Sequence, residues 1–294
     1  VTPPLVSMTR ILNEDDIVEA FVRHNIVHLN HMIFLDNGST DRTLAILAAL
    51  KAEGLPLTVF QSQALIFDEL SSNTWGYRLA AQVHRAGWVV FLDADEFLDV
   101  GGTLARVLES QPPKQMAVQV QLTHYFETPE DDESEPVVPL RMRWRLIAAT
   151  NVMKLILRGG MDGIVIDAGN HGAFQNGNWV QAAPDERIGL MHYPRRNGWQ
   201  NLQKCAIGWL KVLAAGEAAV GAGRSSHYKA PFELLRDDAR DLADNPLYLR
   251  PGVDRSIMED APINYLGGVL RYWEPIDPAY RAFQLGLRYA EDLA

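Results

Sequence analysis

The first hundred residues alternate between short, continuous apolar runs and stretches whose apolar residues recur at helical spacing. Leu5 to Leu12 (LVSMTRIL) predicts a buried strand. Glu14 to His28 carries Ile17, Val18, Phe21, Val22 and Ile26 on one side of a helix. His31 to Leu35 is a second strand and ends in Asp36-Asn37-Gly38. Asp41 to Ala52 predicts a second helix, with Asp41 as its N-cap and Gly54 as its stop. Leu57 to Phe60 reads as a third strand and Asn73 to Ala86 as a third helix. Trp88 to Leu92 is a fourth strand that runs straight into Asp93-Ala94-Asp95.

Continuous apolar strands alternating with helices predict an α/β fold: a mostly parallel sheet with helices on both faces. Ligands of such sheets bind outside the carboxyl ends of the strands. Those ends are Asn13-Glu14, Asp36-Asn37-Gly38-Ser39 and Asp93-Ala94-Asp95, so three polar clusters are expected on one sheet edge. The second half is less regular. Met116 to Leu122, Met142 to Ile147, Val152 to Leu157, Gly163 to Ile166 and Ile188 to Met191 read as strands, and Asn197 to Ala215 as a helix. Thr128 to Pro139 is an acid- and proline-rich loop, and from Pro231 onward the pattern is of helices joined by prolines. The expected division is a main domain over 1–215 and a helical C-terminal part over 216–294, packed on the acceptor side.

The net charge of -10 argues against a nucleic-acid surface. It also means that any phosphate ligand needs a local correction, from a metal ion or a few placed Lys and Arg. One cysteine, Cys205, leaves no disulfide framework and no Cys-based zinc site. No secretory signal and no apolar run of about 18 residues is visible, so a cytoplasmic chain is expected, compatible with peripheral association at the inner face of a membrane.

Two carboxylates flanking one small residue, Asp93-Ala94-Asp95, can point at a single hard cation whose shell diphosphate oxygens complete. As a bare tripeptide it is a strand-end turn; its position beside two other polar strand ends favours the site. Asp36, with Asn37 beside it, can accept from a base or sugar, although a turn followed by a helix cap explains much of that segment. Asn13 and Glu14 serve equally well as a helix start. His192 can be a third metal ligand, and Arg195, Arg196 and Lys204 can neutralise a diphosphate; a buried histidine and a solvated basic turn are the bland alternatives. Asp162, Asp167, His171 and Asp185 qualify by type as a general base, and turn chemistry explains each as well. Trp75, Trp144, Trp179, Trp199 and Trp209 include candidate sugar-stacking platforms among what are mostly core residues.

Three segments carry a resemblance: Arg10-Ile11-Leu12-Asn13-Glu14, Asp36 to Asp41 (DNGSTD) and Phe91 to Phe97 (FLDADEF). In order and spacing the chain resembles the family 2-like glycosyltransferases of GT-A fold, with His192-Tyr193 and Arg195 as a distant supporting point. The resemblance implies that Glu14 and Asp36 contact the nucleotide base or ribose. It implies that Asp93 and Asp95 hold the ribose and Mn2+ or Mg2+, with His192 as a further metal or diphosphate contact. It further implies a UDP-, GDP- or dTDP-sugar donor, a glycan, lipid-linked or protein acceptor, and usually an inverting displacement. The chain departs from the common pattern in lacking a clear Glu-Asp pair for the base, which leaves Asp167 and Asp185 as candidates. Two other readings are a non-catalytic nucleotide-sugar-binding module and a sugar-phosphate nucleotidyltransferase. The last wants a glycine-rich basic loop where Asn13-Glu14 stands.

Overall fold

The computed structural model describes residues 3–62, 68–148, 150–221, 225–237 and 255–293. In chain order the first half comprises β1 (Leu5–Ile11), α1 (Val18–Asn25), β2 (His31–Asp36), α2 (Thr43–Ala52), β3 (Leu57–Gln61), α3 (Glu69–Gln82), β4 (Trp88–Phe91), β5 (Glu96–Val100) and α4 (Leu104–Glu109). β6 (Ala117–Phe126), α5 (Val138–Arg141), β7 (Trp144–Leu146) and β8 (Met153–Arg158) follow. Next come β9 (Ile164–Ile166), β10 (Ala173–Gln175), β11 (Asn178–Trp179), β12 (Ala183–His192) and α6 (Gly198–Ala214). The chain closes with α7 (Glu217–Gly221), α8 (Lys229–Asp237), β13 (Met258–Asp260) and α9 (Pro278–Leu293).

The central sheet has the order β13-β7-β6-β8-β4-β1-β2-β3, with β12 beside β6 and β5 beside β12. β3, β2, β1 and β4 run parallel, β8 lies antiparallel between β4 and β6, and β12 is parallel to β6. Alternate residues of each parallel strand are buried on opposite faces, which is why their sequences read as continuous apolar runs. Leu5 and Ile11 of β1 pack under α1, α2 and α4 with Phe21, Leu47 and Leu104. Val6 and Met8 pack the other way, with Tyr77 and Ala80 of α3 and with Ile164 and Ile166 of the small sheet β9–β11. The α/β architecture expected of a GT-A domain is therefore present, with helices on both faces.

Local signals account for most element ends. Gly54, at φ 95°, closes α2: its N–H bonds the Lys51 carbonyl and that of Leu55 the Leu50 carbonyl. Asp41 stands one residue before the N-cap Arg42, and its carboxylate accepts from Thr43 N–H at 2.8 Å. α3 begins earlier than its apolar spacing indicates, because Asp68 caps it by accepting from Ser71 N–H at 3.1 Å. α1 begins later, at Val18: Asn13 is left-handed at φ 56°, and residues 14–17 form a turn that faces the site. β5, directly after Asp95, is a strand that the apolar pattern does not announce.

The C-terminal part is more than helices. β13 adds to the sheet edge beside β7. The carboxylate of Glu19 in α1, itself buried, accepts from the N–H groups of Arg271, Tyr272 and Trp273. α9 then packs on α6 through Leu285 and Tyr289. The expected helices after Pro231 run in part through 238–254, outside the described residues. Among the described residues no helix is long and apolar enough to cross a membrane.

Candidate functional site

A cleft of about 1090 Å³ opens at the carboxyl ends of β1 and β4. Asn13, Glu14, Asn37, Asp93, Asp95, Asp167, His192 and Lys204 all border it. Asp36, Arg195 and Asp185 do not. Topology explains why His192 joins Asp93 and Asp95, although a hundred residues separate them. β5 starts directly after Asp95 and pairs antiparallel with β12, so that His192 stands opposite Glu96. On its other side β12 pairs with β6, and His192 stands opposite His124.

Asp95 is the most enclosed member of this group. Its Oδ2 lies 2.8 Å from Lys204 Nζ and 3.8 Å from Arg196 Nη1, and its Oδ1 lies 3.4 Å from His192 Nε2. Burial works to raise its pKa, but Lys204, His192 and Arg196 outweigh burial and hold it well below the usual carboxylate range. The same contact raises His192, against burial. The imidazole is oriented from behind by a 2.9 Å hydrogen bond between the Nδ1 atoms of His192 and His124.

Asp93 is partly open to the cleft and bonds Lys154 Nζ at 2.5 Å. The same ammonium lies 3.2 Å from Glu96, whose side chain is fully buried. Burial pushes Glu96 up to about 7, with Lys154 opposing it. Lys154 and Arg10 lower Asp93 against its own burial. Arg10 in turn bonds Glu69 at 2.5 Å, and Glu69 accepts from Gly169 N–H at 2.8 Å, which ties the cleft's Asp167–Gly169 wall to α3.

Glu14 and Asn13 are held by a second set of contacts. Arg196, completely buried, donates to Glu14 and to both oxygens of Asp16, at 2.7 and 3.0 Å. Burial raises Glu14 despite Arg196 and Lys204. Asn13 accepts from Thr40 N–H at 2.8 Å, so it links the first strand end to the second. Arg281 of α9 donates to Asp15 at 2.7 Å, to Asp41 at 3.0 Å and to the Asn13 carbonyl at 3.1 Å. The C-terminal helix is thus anchored to the turn that presents Glu14.

Three expected residues serve elsewhere. Asp36 is buried and accepts from Gly38 and Ser39 N–H, so it builds the turn after β2. Asp185 is held by Arg187 and Gln111, each at 2.6 Å, away from the cleft. Within the basic pair after His192, Arg196 rather than Arg195 forms the ionic hub. Lys154, Arg281 and His124 were the omissions of sequence reasoning. Lys154 did leave a signal: a lysine inside the apolar strand MKLILR has to find a buried partner.

Among the described residues no three His, Cys, Asp or Glu side chains converge as a preformed metal cage. Mg2+ and Mn2+ do not need one, since one or two carboxylates suffice when phosphate and water oxygens fill the shell. Asp95 and His192, with Asp93 alongside, supply that donor chemistry. Lys204 and Lys154 add positive charge beside these carboxylates.

No protein-family model and no curated protein matches the chain. Among solved structures, a mannosyltransferase from Pyrobaculum calidifontis, solved with GDP-Man and Mn2+, aligns over 100% of this chain and 81% of its own, at 15% identity and a TM-score of 0.41. Glucosyl-3-phosphoglycerate synthase from Mycobacterium tuberculosis, solved with Mg2+ and UDP, aligns over 42% of this chain and 44% of its own, at 18% identity and a TM-score of 0.29. A further mycobacterial protein aligns over 43% of this chain and 42% of its own, at 19% identity and a TM-score of 0.29. These two mycobacterial chains are thus matched over less than half of their length.

Proposed function

We propose that the chain is a metal-dependent glycosyltransferase of the family 2-like, GT-A kind, moving a sugar from a nucleoside-diphosphate donor to an acceptor hydroxyl. The observation that carries this is the meeting of Asp93, Asp95, His192, Lys204 and Glu14 in one cleft at the ends of parallel strands. Asp95 and His192, with Asp93, would hold Mg2+ or Mn2+, which when bound neutralises the diphosphate. Lys204 would leave Asp95 for the diphosphate, and Asn13, Glu14 and Asn37 would contact the nucleoside. Asp36 would act through the turn it builds.

Of the four residues that qualify by type, Asp167 and His171 border the cleft, and Asp167 is the carboxylate of the two. In the proposed step Asp167 accepts the acceptor hydroxyl's proton as the acceptor oxygen bonds the anomeric carbon. The bond from that carbon to the diphosphate oxygen breaks, and the nucleoside diphosphate leaves with its electron pair. A single displacement of this kind inverts the anomeric centre. The donor is a UDP-, GDP- or dTDP-sugar, and the acceptor a glycan, lipid-linked sugar or protein.

A second reading, a binding module without transfer, is favoured by one observation. Asp185, one of the candidate bases, lies outside the cleft and is held by Arg187 and Gln111. Calorimetry with a panel of nucleotide sugars, in Mn2+ and in chelator, separates the readings. The transferase reading expects Mn2+-dependent binding, lost in Asp95→Ala, and slow donor hydrolysis. Mn2+-dependent binding with no hydrolysis and no transfer supports the module; no nucleotide binding at all sinks both.

A further inference from the structure

A second cleft, of about 980 Å³, adjoins the first across Gln200, which borders both. Its walls are the 127–136 loop, the start of α6 and residues 273–278. The volume is at the upper end of the range of about 300–1000 Å³ usual for small-ligand sites. Two indoles border it. Trp199 is 41% exposed and Trp273 is partly exposed. Among the described residues neither ring stacks on another aromatic ring or carries a cation, unlike Trp75, Trp88, Trp144 and Trp179. Two unpartnered, accessible indoles beside one cavity are a stacking surface for a flat, partly apolar ligand.

The polar lining narrows that ligand. Seven carboxylates border the cleft against four guanidinium groups. Three of those arginines are already committed within the wall, Arg42 to Glu274, Arg196 to Asp16 and Arg281 to Asp15. With Glu274, Asp16 and Asp15 paired to them, Glu127, Asp131, Asp132 and Glu133 remain, faced by Arg141 of the lining and, at Glu127, by Arg195. Burial pushes Glu127 up to about 7, so it both donates and accepts hydrogen bonds near neutrality. An anionic ligand is repelled by this balance. A ring with apolar C–H faces and many neutral hydroxyls satisfies both the indoles and the carboxylates.

We propose that this cleft binds an uncharged oligosaccharide, stacked on Trp199 and Trp273 and hydrogen-bonded to the carboxylates of the 127–136 loop. Its identification as the acceptor rests on the transferase reading; the binding itself does not.

Saturation-transfer NMR and calorimetry on the intact chain test the proposal, with neutral gluco-, manno- and galacto-configured oligosaccharides and an oligogalacturonate as the anionic control. At least one neutral oligosaccharide is expected to bind, with the anionic control weaker by at least about tenfold. Trp199→Ala and Trp273→Ala should each weaken binding by at least about tenfold, and Trp199→Phe by less than about threefold. Should an alanine variant fail to fold, Trp199→Phe together with Glu133→Gln, which removes a loop carboxylate bordering the cleft, carries the comparison. Asp95→Ala should abolish nucleotide binding and leave oligosaccharide binding intact. No neutral oligosaccharide binding, tighter binding of the anionic control, or full affinity in the folded tryptophan variants overturns the proposal. Nucleotide binding that persists without any oligosaccharide binding overturns this inference alone and leaves the transferase reading standing.

Discussion

Lys154, the second residue of β8, reaches Asp93, just past the end of β4, with Nζ 2.5 Å from Oδ2. The same nitrogen lies 3.2 Å from the fully buried Glu96. One ammonium therefore holds the first aspartate of the pair and compensates the acid just behind it. The second aspartate, Asp95, has its own cation in Lys204.

Lys154→Met tests this arrangement. Removing one partner of a buried pair costs about 3–5 kcal/mol, because the other charge stays buried and unpaired. Asp93 opens onto the cleft, so the loss should fall at the lower end, about 3 kcal/mol by urea unfolding. Adding Glu96→Gln should restore at least about 1 kcal/mol, since the two changes share one interaction. A loss below about 1 kcal/mol in the single variant would show that Glu96 does not depend on Lys154.

Arg196→Lys should be far from conservative. The guanidinium serves Glu14, both oxygens of Asp16 and the Tyr193 carbonyl at once. A lysine ammonium is a point charge without that planar fork, so about 2 kcal/mol of stability should be lost, together with nucleotide affinity. Arg195→Lys, measured alongside, should lose less in both. Equal losses would remove Arg196 from its place as the hub.

Arg281→Ala should loosen the C-terminal helix and the turn bearing Glu14 together. Arg281 lies between Asp15 and Asp41, and burial with the neighbouring Asp15 already pushes Asp41 up to about 7 despite that arginine. Without it two buried acids are left facing each other, at a cost of about 3 kcal/mol. Hydrogen exchange should show lost protection across α9 and at residues 13–16. Unchanged protection at residues 13–16 would mean that α9 does not support the turn.

His24 gives a pH dependence with a definite sign. Leu266 N–H donates to its Nδ1 at 3.1 Å, and its Nε2–H donates to the Leu98 carbonyl at 2.7 Å, so the buried ring is neutral. Burial lowers its pKa from 6.5 to about 4. The unfolded chain therefore binds more protons between those values. The stability it contributes is fully present above pH 6.5 and is lost as pH falls through about 4. Relative to a His24→Gln variant, the wild type should lose about 1.4 kcal/mol per pH unit across that window. Parallel pH profiles for the two proteins would disprove the burial of a neutral imidazole.

Much of the first half of the chain was legible in the sequence. Strands buried on both faces must be apolar at every position, and the helices between them must be apolar on one side, so β1 to β4 with α1 and α2 can be read without coordinates. The polar clusters at the ends of β1 and β4 followed from the same pattern. Element ends were less legible where a side chain overruled the spacing, as Asp68 does for α3 and the site-facing turn at Asn13 does for α1.

What only the tertiary structure decided is which distant groups share that edge. Local periodicity says where a strand lies, but not which strand lies next to it. The pairing of β5 with β12 brings His192 to Asp95, and the place of β8 between β4 and β6 brings Lys154 to Asp93. The anchoring of α9 brings Arg281 to Asp15. Each is a contact between charged groups more than sixty residues apart, and its energy depends on separation and burial, which a linear sequence does not contain. The aspartate pair was visible in the sequence; the cations that hold it became visible only in the fold.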